Sequence, residues 1–212
     1  MIQFRYRSIQ PYLRGPEGLE LGPAEGEMTR LLVDDFARLT VVEGAADLLL
    51  RIPNHRSLRK VHALFEDFEP DTPFNTIVMD HILEHVGNPI DLLHRAREWM
   101  ASAGIIVIGV PNGQSFHRLV GVKMGLLKEP TELNQRDLTL GHRRVYTRES
   151  LLADVDAAGL QTTAVGGVFF KPLSNQQIEE TWTEQMIEGF YELGKDFPEH
   201  ANDLFAVCQR RP

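Results

Sequence analysis

Short apolar runs recur along the 212-residue chain at 18–21, 39–42, 61–64, 76–79, 104–110, 162–170 and 204–208. Runs of this length read as strands of a buried sheet. Between most of them the spacing of apolar residues becomes helical, at 28–36, 45–52, 90–100 and 150–158. Strand and helix in alternation predict an α/β fold, a mostly parallel sheet with helices on both faces and a binding crevice at the carboxyl ends of its strands.

The interval before the last run is longer. From 175 to 194, Ile178, Trp182, Met186 and Phe190 recur every four residues and mark one helix face, which reads as core or a lid-like flank before it reads as a cofactor contact. A helical insertion at about 175–200 lets the closing segment 203–210 enter antiparallel between its neighbours. The expectation is a Rossmann-like, seven-stranded sheet with an antiparallel last strand. With 42% hydrophobic residues, 212 residues suffice for one domain over 1–212 and would make two small ones.

Composition narrows the function classes. No apolar run reaches the roughly 18 residues of a bilayer span, and Met1-Ile2-Gln3-Phe4-Arg5-Tyr6-Arg7 lacks the apolar centre of a signal peptide. Cys208 stands alone, so there is no intrachain disulfide and no cysteine metal cluster. A cytoplasmic protein that does not engage membranes is expected. The net charge of -8 argues against a general nucleic-acid binder, although Arg136, Arg143, Arg144 and Arg148 form a local basic cluster suited to an anionic small molecule. Nothing in the chain specifies a metal, and a monomer or homodimer is expected.

The chemistry concentrates in Leu19-Glu20-Leu21-Gly22-Pro23-Ala24-Glu25-Gly26 and in Glu43, at the end of the next apolar run. Gly22 and Gly26 permit a sharp turn and close approach of backbone to a ligand, with small Ala24 between them. A helix starting near Glu27 would add unpaired N–H groups. Glu20 can face a ligand ammonium, and Glu43, about twenty residues on, is placed to accept both hydroxyls of a ribose. A nicotinamide or flavin site is the natural competitor, but Glu20 and Glu25 would repel a pyrophosphate. The ligand reads as cationic, and S-adenosylmethionine suits it.

The chain resembles the class I S-adenosylmethionine-dependent methyltransferases over nearly its whole length, in particular small bacterial members that modify sugars, antibiotics and other metabolites. The resemblance is carried by Glu20 through Gly26, Val42-Glu43-Gly44, Leu64-Phe65-Glu66-Asp67-Phe68, Phe74 through Val86, Val110-Pro111-Asn112, and Gly141-His142-Arg143-Arg144-Val145-Tyr146-Thr147. It implies that Glu20, Gly22, Pro23, Ala24 and Gly26 hold the methionine end of the cofactor. Glu43 with Gly44 would hold the ribose, Leu64, Phe65 and Glu66 would border the adenine, and Met79 and Asp80 would line the sulfonium side. Two departures stand out. Ala24 replaces a commoner Gly, which is tolerable if its φ is negative, and Asn75 stands where an Asp is usual.

His81, directly after the fourth strand, is the first candidate for a base that takes a proton from an attacking hydroxyl, because an imidazole titrates near 6.5; a helix-start role is its alternative. His85 is read as an acceptor contact or as a fastener of the loop to the sheet. The resemblance places the region of Asp137 and 141–146 over the active site, so His142, a second candidate base, with Arg143, Arg144 and Tyr146, would meet the acceptor, as would Asn112 and His117. A salt-bridged loop is the alternative there, and His117 and Arg118 share that alternative.

The leading function is methyl transfer to a small-molecule acceptor, most plausibly a hydroxyl of a sugar or natural-product intermediate. An N- or O-methyltransferase of a peptide or protein, which would show an open groove, stays open. So does a non-catalytic S-adenosylmethionine-binding protein, to which the roughly 18 residues before the first strand lend support; residues 113–140 offer a substitute lid.

Overall fold

Leu19 and Leu21 turn to one face of the sheet while Leu39 and Val41 of the neighbouring strand turn to the other, and all four are fully buried. In the centre, Ile106, Ile108 and Val110 alternate with Ile105 and Val107, so one strand feeds two cores. Burial on both faces explains why these strands read as continuous apolar runs. The computed structural model describes residues 1–173 and 175–211; Ser174 and Pro212 lie outside the described residues.

The strands are β1 (Glu17–Leu21), β2 (Arg38–Glu43), β3 (Leu58–His62), β4 (Phe74–Asp80), β5 (Met100–Pro111), β6 (Leu160–Val168) and β7 (Asp203–Arg210), in the sheet order β3-β2-β1-β4-β5-β7-β6. β1 to β5 pair in parallel, and β7 runs antiparallel to both β5 and β6. The sheet is the expected one, with its last strand reversed and inserted. The order turns back between β1 and β4, and this is where an open α/β sheet leaves a crevice.

One face is covered by α4 (Pro89–Trp99) and α7 (Arg148–Ala157). Asn88 accepts from the Asp91 amide at the start of α4, and Thr147 forms a reciprocal cap with Ser150 at the start of α7, satisfying amides that the first turn leaves free. The other face carries α1 (Ile2–Ile9), α2 (Thr29–Leu32), α3 (Ala46–Arg51) and, near β6, α8 (Asn175–Thr181) and α9 (Glu184–Asp196). No helix among the described residues is long and apolar enough to cross a membrane.

Three expectations shift. β3 occupies 58–62 instead of 61–64, because this edge strand pairs on one side only and carries Arg59, Lys60 and His62 in its ladder. The helix expected over 28–36 keeps only the four residues of α2 and continues as turns. The stripe of Ile178, Trp182, Met186 and Phe190 is broken between two helices, with Trp182 in the gap, because Thr183 caps a new start by accepting from the Met186 amide; Trp182 still stacks on Phe190 at 4.2 Å. Residues 113–140 fold into α5 (Phe116–Lys123) and α6 (Gln135–Thr139).

Candidate active site

The turn after β1 has the backbone that its glycines predicted. Gly22 and Gly26 stand at φ 61° and 80°, and a Cβ on Gly22 would lie 2.3 Å from Ile82 Cδ1. Pro23 is buried, and its carbonyl accepts from the Gly26 amide at 2.8 Å. Ala24 departs from expectation. Its φ is 49°, a left-handed conformation that costs an L-residue about 1–2 kcal/mol. The Ala24 amide donates to Glu43 Oε2 at 3.2 Å, and the Ala45 amide donates to Oε1 at 2.9 Å. Glu43 thus ties the two strand ends together while its oxygens keep further lone pairs for hydroxyl donors.

Glu20 is buried and accepts from Thr29 Oγ1 at 2.6 Å. Burial pushes its carboxyl up to about 8 against the pull of the Thr29 hydroxyl, with Asp80 adding to the rise. The side chain therefore holds its proton near neutrality, and an ammonium beside it would draw the proton off. Leu64 is exposed beside Gly44, Phe65 is packed near Gly22, and Glu66 is exposed. The Met79 side chain lies in the core under α4, so only its backbone is free to line a ligand. Asn75 Oδ1 accepts from the Glu17 amide at 3.0 Å and so ties β4 to the start of β1.

At the other side of the crevice, beyond β4, β5 and the start of β7, lies a polar chamber of about 280 Å³. Its walls include Arg5, His81, His117, His142, Lys171 and Asp203. Arg5, from α1, spans the edge of the sheet: its Nε donates to Asp80 Oδ2 at 2.8 Å and Nη1 lies 3.5 Å from Asp203 Oδ2. His81 is held between Glu84 (Nδ1 to Oε1, 3.2 Å) and Asp203 (Nε2 to Oδ2, 3.7 Å), at a backbone φ of 58°. Burial alone would lower the His81 imidazole, but Asp203, Glu84 and Asp80 outweigh it and carry it up to about 10. Asp203 is held below its ordinary range by His81 and Arg5 despite its own burial.

His81 is thus held between two acids that draw it toward its cationic form, a setting that favours an orienting role over that of a free base. The neutral imidazoles are His117, which burial and the Lys171 and Arg118 charges push down to about 4, and His142, which burial lowers against the pull of Glu84 and Asp137. His117 Nδ1 is buried without a hydrogen-bond partner; α5 carries His117 and the turn after α6 carries His142, both lining the chamber with Asn134, Arg136 and Asp137.

Three expected acceptor contacts are engaged in hydrogen bonds within the fold. Asn112 is buried and lines the chamber, but it donates to the carbonyls of Glu199 and Ala201 and accepts from the Gln114 amide. Tyr146 is buried, and its hydroxyl donates to Asp154 at 2.8 Å. Arg144 donates to the carbonyls of Leu83, Val86 and Gly87. Arg143 is exposed and does not line the chamber, and His85 packs edge to face on His142 at 4.7 Å. Arg5, Lys171 and Asp203 were missed by sequence reading. Asp203 is 198 residues from Arg5, and no local pattern links them.

Residues 7–165 match a family model described as a methyltransferase domain. No curated protein matches the chain in sequence. Among solved structures the chain is similar to an S-adenosylmethionine-dependent methyltransferase from Mesorhizobium loti, at 13% identity and TM-score 0.70 over 99% of this chain and 100% of that one. It is similar to another from Archaeoglobus fulgidus, at 18% identity and TM-score 0.63 over 99% and 93%. The N-methyltransferase NodS of Bradyrhizobium japonicum, in complex with S-adenosyl-L-homocysteine, aligns at 15% identity and TM-score 0.61 over 99% and 85%. At these identities the likeness is one of fold.

Proposed function

The chain belongs to the methyltransferase-domain family, and on that premise we propose that it takes S-adenosylmethionine as its methyl donor and methylates a hydroxyl of a small molecule, a sugar or natural-product intermediate, seated among His81, His117 and His142. The observation that carries this reading is the polar chamber of about 280 Å³ at the carboxyl ends of β4 and β5. That volume sits at the small end of ligand pockets, and its donors and acceptors suit a hydroxylated molecule better than an apolar one.

In this reading Glu20 pairs with the cofactor's ammonium, the Gly22 to Gly26 turn lies against its amino-acid end, and Glu43 accepts the ribose hydroxyls. Leu64, Phe65 and Glu66 border the adenine. Asp80 and the Met79 backbone line the side of the sulfonium. The acceptor oxygen attacks the methyl carbon in line with the carbon–sulfur bond, which breaks to leave S-adenosylhomocysteine. The donor is already activated, so alignment supplies much of the acceleration, on the order of 7–11 kcal/mol for well-oriented pairs. The neutral imidazoles His117 and His142 activate the hydroxyl, and the cationic His81, Arg5 and Lys171 orient its oxygens. The reading includes a cytoplasmic monomer or homodimer, which a net charge of -8 helps keep dispersed.

Incubation with methyl-labelled S-adenosylmethionine and a panel of free sugars, nucleotide sugars, phenolic intermediates, amines and peptides tests it. Label in an O-methyl product of a small molecule is expected. Label confined to amines or to peptides would contradict the acceptor class, while leaving the donor intact.

A further inference from the structure

We propose that Glu84, His85 and His142 form a binding site for a divalent transition-metal cation of the zinc class at the wall of the acceptor chamber. Each of the three offers one ligand atom, and these atoms lie within 4.8 Å of one another. A tetrahedral zinc site separates its ligands by about 3.3 Å, given bonds near 2.0–2.1 Å, a distance that small side-chain rotations reach.

The strongest sign is Glu84. Its residue is 1% exposed, yet neither Oε1 nor Oε2 accepts a hydrogen bond. Oε1 is ion-paired with His81 Nδ1 at 3.2 Å, so Oε2 is the oxygen left with neither a hydrogen bond nor a paired cation. A buried carboxylate is costly unless hydrogen-bonded, paired or bound to metal.

The surroundings are built to hold these donors. Asp137 Oδ1 lies 3.4 Å from His142 Nδ1. Asp137 is itself fixed by Arg118 at 3.1 Å and by the cap it shares with Asn134. A carboxylate behind an imidazole orients the ring and raises its basicity toward a metal; here it would leave Nε2 as the ligand. The Arg143 amide donates to the Glu84 carbonyl at 2.7 Å, and Arg144 clamps the carbonyls of Leu83, Val86 and Gly87. Two segments remote in sequence are thereby locked into one frame. Two imidazoles and a carboxylate suit zinc and its neighbours over magnesium, and three protein ligands leave a position open. His142 also lines the acceptor chamber. The site stands on these side chains; its use for an acceptor oxygen rests on the reading above, and it would leave His117 as the chamber's free neutral imidazole. The sequence alone had indicated no metal.

The test uses the full chain without an affinity tag, stripped with chelator and titrated with zinc chloride by calorimetry, with metal analysis after desalting. One zinc per chain is expected. Glu84→Gln and His142→Ala should each weaken it by more than about 100-fold, and Asp137→Asn by roughly 10–100-fold. No zinc on the unsubstituted chain, zinc held equally by the ligand variants, or magnesium chloride bound in preference would overturn the site. Binding of S-adenosylhomocysteine by the same samples shows that each variant is folded. Absence of zinc on the unsubstituted chain while it still binds S-adenosylhomocysteine sinks the metal site alone; zinc bound with no O-methyl product sinks the acceptor reading alone. If one ligand variant does not fold, the stoichiometry of the unsubstituted chain and Asp137→Asn still decide.

Discussion

The two halves of the crevice are built by different means. On the side of β1 and β2, the relevant groups come from a turn of a few residues and from Glu43, whose carboxylate joins the Ala24 and Ala45 amides. On the side of β4, β5 and β7, Arg5, Asp80, His81, Glu84 and Asp203 form a chain of ion pairs that reaches from the first helix to the last strand. The first half is a matter of backbone conformation and is local; the second is a matter of charge balance and is global. A local site is visible as a motif, whereas a global one exists only after folding.

The contrast breaks most readily at Asp203. Replacing it with Ala leaves Arg5 and His81 buried without a shared acid, and removal of one partner from a buried pair costs about 3–5 kcal/mol. Urea unfolding should show a loss of that size while affinity for S-adenosylhomocysteine stays near that of the unsubstituted chain. A matching loss of cofactor affinity would mean that the halves are not separable.

Glu43→Ala should do the reverse. Loss of a carboxylate that accepts both ribose hydroxyls is expected to weaken S-adenosylhomocysteine binding by about 2–3 kcal/mol, roughly 30–150-fold. Calorimetry that finds the affinity unchanged removes the ribose contact from the account.

Glu20 sharpens the comparison through pH. Its folded carboxyl lies near 8, above its ordinary value of 4.5. The folded chain therefore keeps a proton that the unfolded chain releases, so this contribution to stability is full below about 4.5 and is lost as pH rises through about 8. Denaturation midpoints measured across that window should fall with pH, and Glu20→Gln should flatten the slope. An unchanged slope in that variant would place the titration elsewhere.

The smallest effect is at the turn itself. Ala24→Gly relieves the left-handed strain at φ 49° and should stabilise the chain by about 1 kcal/mol, visible as a rise in Tm. A destabilised variant would show that the turn does not hold this conformation in solution.

The same contrast explains what was legible. The alternation of strands and helices, the reversed last strand and the Gly22 to Gly26 turn follow from short-range periodicity and turn chemistry, and they stand where expected. β3 slid because an edge strand with charged residues lacks a continuous apolar signal. His81 was correctly placed at the end of β4, but its charge state depends on Asp203, 122 positions away in the chain. Asn112, Tyr146 and Arg144 carry groups that suit substrate contacts, and only their completed hydrogen bonds show that they are occupied with the fold. Arg5 gave no signal, because an arginine in a short first helix looks like any solvated residue until Asp80 and Asp203 surround it.

The account stands or falls on where the donor sits, and a crystal structure of the chain with S-adenosylhomocysteine addresses it most directly. The prediction is a ligand stretched along the carboxyl ends of β1, β2 and β4, its ammonium at Glu20, its ribose on Glu43 and its sulfur turned toward the chamber of His81, His117 and His142. Density for the ligand in another cleft, or a ribose that makes no contact with Glu43, would contradict it.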